Sequence, residues 1–154
     1  MLVDHATGTT LFESAAILLY LAEQSGRLLP ADPQARWQAI QWLMFQAASV
    51  GPILGQRVHF EIFAATALPA AIERYRRLCD EAFGVLDRQL ARHPFLAGHD
   101  YSIADIAHFG WTHIARVIDF DFSGHAHLSA WHDRVASRPA VRRGVTLPAP
   151  AVGP

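Results

Sequence analysis

A chain of 154 residues that is 51% hydrophobic and 18% charged is long and apolar enough to bury a core of its own. Its formal net charge of −1, with nine histidines neutral, supplies no field that would gather nucleic acid or anionic lipid, so neither is expected as a partner. The single cysteine cannot close an internal disulfide, and no stretch carries the basic start, apolar centre and small-residue cleavage site of a secretory leader. The expected setting is reducing and cytoplasmic. The longest apolar run, Ala15 to Ala22, is far short of the roughly 20 residues that cross a bilayer, and no membrane span is expected.

Leu2 to Asp4 and Thr9 to Phe12 are rich in β-branched and bulky residues, and His5-Ala6-Thr7-Gly8 between them carries a turn glycine. This spacing predicts a β-hairpin. Ser14 then stands as a candidate cap for a helix over about Ala15 to Gln24, with Gly26 just past its end. That helix is apolar nearly all round, which calls for cover on more than one side. Leu28-Leu29-Pro30-Ala31-Asp32-Pro33 disfavours helix before each proline and is the expected domain boundary.

Asp32 is the expected cap of the next helix, with Pro33 at its first position and Trp37, Ile40, Leu43, Met44 and Ala47 at helical spacing until Gly51-Pro52 interrupts them. A third helix is predicted over about Ala70 to Ala91. Ile72, Tyr75, Cys79, Phe83, Leu86 and Leu90 form its apolar stripe, and Glu73, Arg74, Arg76, Arg77, Asp80, Asp87 and Arg88 a solvated face. Ser102 and Asp105 have the spacing of a reciprocal capping box for a helix reaching about Val117, with Ile106, Phe109, Ile114 and Val117 facing inward. A last helix is predicted over Leu128 to Ser137, stopped by Arg138-Pro139. The tally is one hairpin and five or six helices.

Several of these segments resemble the glutathione transferases. Leu11-Phe12-Glu13-Ser14-Ala15-Ala16-Ile17 is similar to the segment that closes their thioredoxin-like domain, and Leu28-Leu29-Pro30 to their interdomain linker. Gln41-Trp42-Leu43, Val50-Gly51-Pro52-Ile53-Leu54-Gly55-Gln56 and Ala71-Ile72-Glu73-Arg74-Tyr75 resemble the bacterial nu class, whose best-known members reduce disulfides with glutathione. Phe95-Leu96-Ala97-Gly98 through Ser102-Ile103-Ala104-Asp105 resembles the folding signature of the helical domain, and Ser137-Arg138-Pro139 the end of its last core helix. The likeness covers about residues 2 to 143. It implies a mainly α fold: the C-terminal helical bundle over residues 28–147, preceded over 1–27 by a hairpin and helix remnant of a thioredoxin-like domain and followed by a flexible tail over 148–154. It also implies a partial chain, because the family's thiol-activating residue and cis-proline loop precede the segment that Leu2 begins. Without those contacts, each worth ~1 kcal/mol, glutathione would bind roughly a hundredfold more weakly.

Glutathione carries an α-carboxylate, and a helix start with free N–H groups and a hydroxyl is a natural carboxylate site. Ser14 fits that description; from the residues alone it is an ordinary helix cap, and the resemblance turns it into a ligand for the γ-glutamyl carboxylate, with Glu13 taking the α-ammonium. Glutathione is thus the expected co-substrate. Phe45, Arg57, Phe60, Phe109 and Trp111 are the candidate wall for a small hydrophobic electrophile or disulfide, core packing being the commoner use of such aromatics and solvation that of an arginine. No catalytic residue is expected within the chain. Ser102 and Asp105 read as a structural cap, Cys79 as a small buried hydrophobe and His125, His127 and His132 as scattered surface histidines without a zinc-ligand spacing, so no metal is expected. The family implies a homodimer. The alternative is a non-catalytic helical module that dimerises or binds protein partners, and a third reading is a ligand-carrying helical bundle.

Overall fold

The computed structural model describes residues 1–118, 120 and 122–147; the predicted tail over 148–154 lies outside the described residues. Strands β1 (Leu2–Val3) and β2 (Thr10–Leu11) pair antiparallel, Leu2 opposite Leu11 and Val3 opposite Thr10. Asp4 closes the turn between them by accepting the N–H of Ala6 at 2.8 Å. The hairpin is tied to the first helix, α1 (Ser14–Ser25), through the Tyr20 hydroxyl, which donates to Asp4 Oδ2 at 2.6 Å. That bond holds the Asp4 carboxyl below its ordinary range.

Gly26 ends α1 in the left-handed conformation, returning its N–H to the carbonyls of Ala22 and Glu23, as a glycine after a helix should. Leu28 is left-handed as well, at φ 66°. Its carbonyl accepts the Ile103 N–H at 2.9 Å, and Leu29 beside it packs on a small core of Ala15, Ala22, Leu43 and Ile103. Leu28 and Leu29 are thus clamped to the start of a later helix.

Asp32 caps α2 (Pro33–Phe45) by accepting the Ala35 N–H at 2.9 Å. Gly51-Pro52 does not end the helical path. Gln46–Val50 forms a π turn, the Gly51 N–H reaches back to the Gln46 carbonyl, and α3 (Gly51–Val58) carries the rod on to a second π turn at His59–Phe63. Proline removes one donor from an α-helical ladder, and the wider turn absorbs that loss without a break. The extra residue in the turn also rotates the faces of α3 relative to those of α2. Along α2 itself, Ala39, Trp42 and Leu43 are buried whereas Trp37 and Met44 are exposed, so the buried stripe is shifted from the predicted one.

The long helix α4 (Pro69–Leu90) buries Cys79, Phe83, Leu86 and Leu90 as its spacing requires. Its polar face is not wholly solvated. Asp87 accepts the Leu128 N–H at 2.9 Å and Asp80 holds His125 Nε2 at 2.9 Å, which seats α6 (Ala126–Ala136) against α4. Helix α5 (Ile103–Val117) runs through the centre, between α1 and α2 on one side and α6 on the other. Its inward residues are Ile103, Ala104, Asp105, His108, Phe109, Thr112 and Ala115; Ile106 is half-buried and Ile114 exposed, contrary to the predicted stripe, and the side chain of Val117 lies outside the described residues. Pro139 does stop α6, and it also opens the short α7 (Pro139–Gly144). With α2 and α3 as one rod, the hairpin is followed among the described residues by six helices.

His125 and His132 are both buried, against the expectation of surface histidines. His132 stacks on Phe109 and His113, with ring centroids 5.0 and 5.8 Å away, because an imidazole kept neutral packs as a flat, mostly apolar ring. His127 is exposed. No described helix is long and apolar enough to cross a membrane, and among the described residues no group of three or more His, Cys, Asp or Glu side chains is placed to hold a metal.

Candidate functional site

Ser14 is the first residue inside α1 and not its cap; the cap position belongs to Glu13, and no side chain satisfies the helix start. The first intrahelical bond is from the Ile17 N–H to the Glu13 carbonyl at 3.0 Å, which leaves the N–H groups of Ser14, Ala15 and Ala16 without intrahelical partners. Glu13 reaches this point at φ 68° and ψ 117°, a backbone conformation costly for any residue with a Cβ. Such an outlier persists only where its surroundings hold it, and here the hairpin and α1 pin both sides. The consequence is that Glu13 and Ser14 are both exposed side by side at the positive end of the helix dipole.

They open on a groove of about 370 Å³ whose opposite wall is Gln46, Gly51, Pro52, Gly55 and Trp111. The two glycines are four apart on the rod, and the Trp111 indole lies over them. A Cβ on Gly55 would meet its Cη2 at 3.4 Å, and a Cβ on Gly51 its Nε1 at 3.0 Å. Ser14, Gln46 and Trp111 also border an apolar hollow of about 440 Å³ lined by Ile17, Leu18, Ile106 and Ile114. The exposure of Ile114, which defeats the predicted stripe of α5, is what makes this hollow apolar.

Of the five residues expected to form the substrate wall, Trp111 lines the groove and the other four do not. Phe45 packs edge-on to Trp42 and stacks on His108, with centroids 5.7 and 6.2 Å away. Phe60 stacks on Tyr75 at 5.5 Å, and Phe109 lies in the core against His113 and His132. Arg57 is neither solvated nor turned to the groove: its guanidinium sits 3.6 Å over the Phe120 ring and donates to Glu61 at 3.0 Å. Gln46, Gly51 and Gly55 are groove residues that sequence reasoning passed over. The signal available was the Gly-x-x-x-Gly spacing opposite a tryptophan, which marks close approach to a helix but does not say from which side.

Elsewhere the titratable groups are committed to structure. Asp105 is fully buried and accepts from the backbone of Leu96 and Ser102, both at 3.0 Å, from the Ser102 hydroxyl at 3.2 Å and from the Trp131 indole at 2.8 Å. Burial pushes the Cys79 thiol up to about 11, partly offset by Arg57. Neither group faces the groove.

A mainly helical chain with a short hairpin, whose first helix presents its amino end to a cleft against the remaining helices, defines the helical part of a glutathione-transferase-like protein. The profile for the C-terminal domain of glutathione S-transferases matches residues 59–139, and the chain belongs to the glutathione S-transferase family. It is similar to the disulfide-bond oxidoreductases YfcG and YghU of Escherichia coli, 40% identical over 90% of this chain and 38% over 91%. A glutathione transferase of Burkholderia graminis, solved with two glutathione molecules bound per subunit, superposes on 91% of the chain with a TM-score of 0.85 and 36% identity. The chain spans 67%, 51% and 61% of the lengths of these three proteins.

Proposed function

We propose that this chain is part of a glutathione-dependent transferase or disulfide reductase in which Glu13 and Ser14 seat the γ-glutamyl end of glutathione. One observation carries this: at the amino end of α1, Ser14 offers a hydroxyl and unpaired backbone amides to a groove, and Glu13 is held beside it in a strained conformation. The amides and the helix dipole favour a carboxylate, and the Glu13 carboxylate complements the adjacent ammonium. The relatives support the same reading, since two are named disulfide-bond oxidoreductases and one was solved with glutathione. The disulfide or electrophile is proposed to rest against Trp111 and the apolar hollow behind it. No described residue is proposed to activate the thiol. The working form we propose is a cytoplasmic homodimer.

Retention on immobilised glutathione tests the seat. The wild-type chain is expected to be retained and eluted by free glutathione. Ser14→Ala should reduce retention about tenfold while leaving the melting temperature within about 1–2 °C, because the Ser14 side chain makes no hydrogen bond that folding uses. Equal retention of the two proteins would refute the assignment.

A second reading, a non-catalytic association module, is favoured by one surface. Val3 is exposed and Phe12 is 76% exposed, on and just past a hairpin whose strands, among the described residues, pair only with each other, and Leu21 of α1 is exposed as well. Such a face invites cover by protein. Sizing chromatography that gave a monomer at all concentrations would remove this reading.

A further inference from the structure

Gln46 lies in the π turn between α2 and α3, is only 5% exposed, and its carboxamide makes no hydrogen bond among the described residues. The Trp111 indole N–H is equally uncommitted. Both line the groove that Ser14 opens on. Both nitrogens lie beside Gly51: Gln46 Nε2 is 2.9 Å and Trp111 Nε1 3.0 Å from the point that a Cβ on that residue would occupy. Glycine leaves this flank of the backbone bare, so the two N–H groups border the groove with no side chain of residue 51 between them.

Donors that face a groove without a protein acceptor are open to a ligand, and a single oxygen with its two lone pairs can accept from two of them. A carboxylate makes the stronger pair of bonds. The donors themselves are neutral, and Glu13 lines the same groove, so a free anion is not drawn in. The oxygen has to arrive on a molecule already anchored elsewhere, which makes the pair a device for choosing between ligands.

We propose that Gln46 and Trp111 hold an acceptor oxygen, carboxylate or carbonyl, on the group borne by the sulfur of glutathione, and so select co-substrates that carry one. This rests on the reading that Ser14 seats the γ-glutamyl end. With that end fixed, the sulfur substituent is the part of the ligand that varies, and Trp111 stands where the polar groove passes into the apolar hollow.

Calorimetric titration of the full chain with S-(carboxymethyl)glutathione and S-propylglutathione, similar in size but differing in acceptor oxygens, tests it. Wild type is expected to bind the carboxymethyl compound about tenfold more tightly, and Gln46→Leu and Trp111→Phe each to bind the two probes with equal affinity. Ser14→Ala should weaken both probes alike. Should Gln46→Leu fail to fold, Gln46→Glu places an acceptor where the donor stood and is expected to reverse the preference. A preference that survives in folded Gln46→Leu, or is missing in wild type, overturns the donor pair and leaves the Ser14 seat standing. If Gln46→Leu instead erases a preference for glutathione over γ-glutamylcysteine, the oxygen belongs to the glycyl end and the sulfur-side assignment is overturned. Failure of both probes to bind wild type overturns the seat and the pair together.

Discussion

Trp131 donates its indole N–H to Asp105 across 2.8 Å, joining the middle of α6 to the first turn of α5 inside the core. The same carboxylate accepts the Leu96 amide from the preceding loop and the amide and hydroxyl of Ser102. One side chain therefore fixes a loop, a helix start and a neighbouring helix. Removing it leaves several buried donors without an acceptor, each costing about 1–3 kcal/mol. Asp105→Ala is expected to lose at least about 3 kcal/mol in urea unfolding, and Trp131→Phe, which removes one donor with its bond, about 1 kcal/mol. A cost for Asp105→Ala no larger than that of a surface substitution, about 0.5 kcal/mol, would contradict this role.

Acid should weaken the fold through His108. Burial holds that imidazole down at about 4, against 6.5 for a free side chain, while its Nδ1 bonds the Ala104 carbonyl at 2.9 Å. The unfolded chain therefore binds the proton first. Stability from this residue is complete above pH 6.5 and declines as pH falls from 6.5 towards 4, approaching about 1 kcal/mol per pH unit. His132, also lowered mainly by burial, adds in the same direction. Urea midpoints measured between pH 7.5 and 5 should show the decline, and His108→Gln should make it shallower; an unchanged slope in that variant would show that other groups govern it.

The two groove glycines should respond in opposite ways to alanine. A Cβ at Gly51 meets Gln46 Nε2, Trp111 Nε1 and the Gln46 carbonyl between 2.9 and 3.3 Å, and the rigid indole has to move. At Gly55 the nearest atom is 3.4 Å away, an ordinary contact. Gly51→Ala is expected to destabilise by about 1–2 kcal/mol and to shift tryptophan fluorescence. Gly55→Ala should be neutral or stabilising by up to about 1 kcal/mol, because alanine replaces glycine inside a helix.

Cys79 should be inert while the chain is folded. It is 1% exposed, and its thiol is pushed up to about 11, so little thiolate forms at neutral pH. Iodoacetamide is expected to label it only at the rate of unfolding, and fully in urea. Rapid labelling of the native chain at pH 7.5 would show that the site opens.

Much of the fold was legible because it is local. The Asp32 cap with Pro33, the Ser102–Asp105 box, Gly26 past α1 and the apolar stripe of α4 are each set by residues within a few positions of one another, and all appear where the spacing puts them. The shifted stripe of α2, the exposed Ile114 and the buried His132 were not legible, because each depends on which neighbour a helix face meets. Of the candidate site, Glu13, Ser14 and Trp111 come together at one groove, while Phe45, Arg57, Phe60 and Phe109 are spent on packing. Aromatic side chains serve cores as well as pockets, so composition could not separate the two.

The sequence by itself determined those helix ends that a local cap or glycine sets, at Asp32, Ser102 and Gly26, and which family pattern the helices follow, since such signals act through bonds between near neighbours. Only the tertiary structure decided that Gly51-Pro52 is bridged by a π turn, that Glu13 is forced into a positive φ, and that Gln46 and Trp111 line one groove beside Gly51. Those features depend on the crossing of α1, α3 and α5, and the energy that fixes a crossing is shared among residues far apart in the chain.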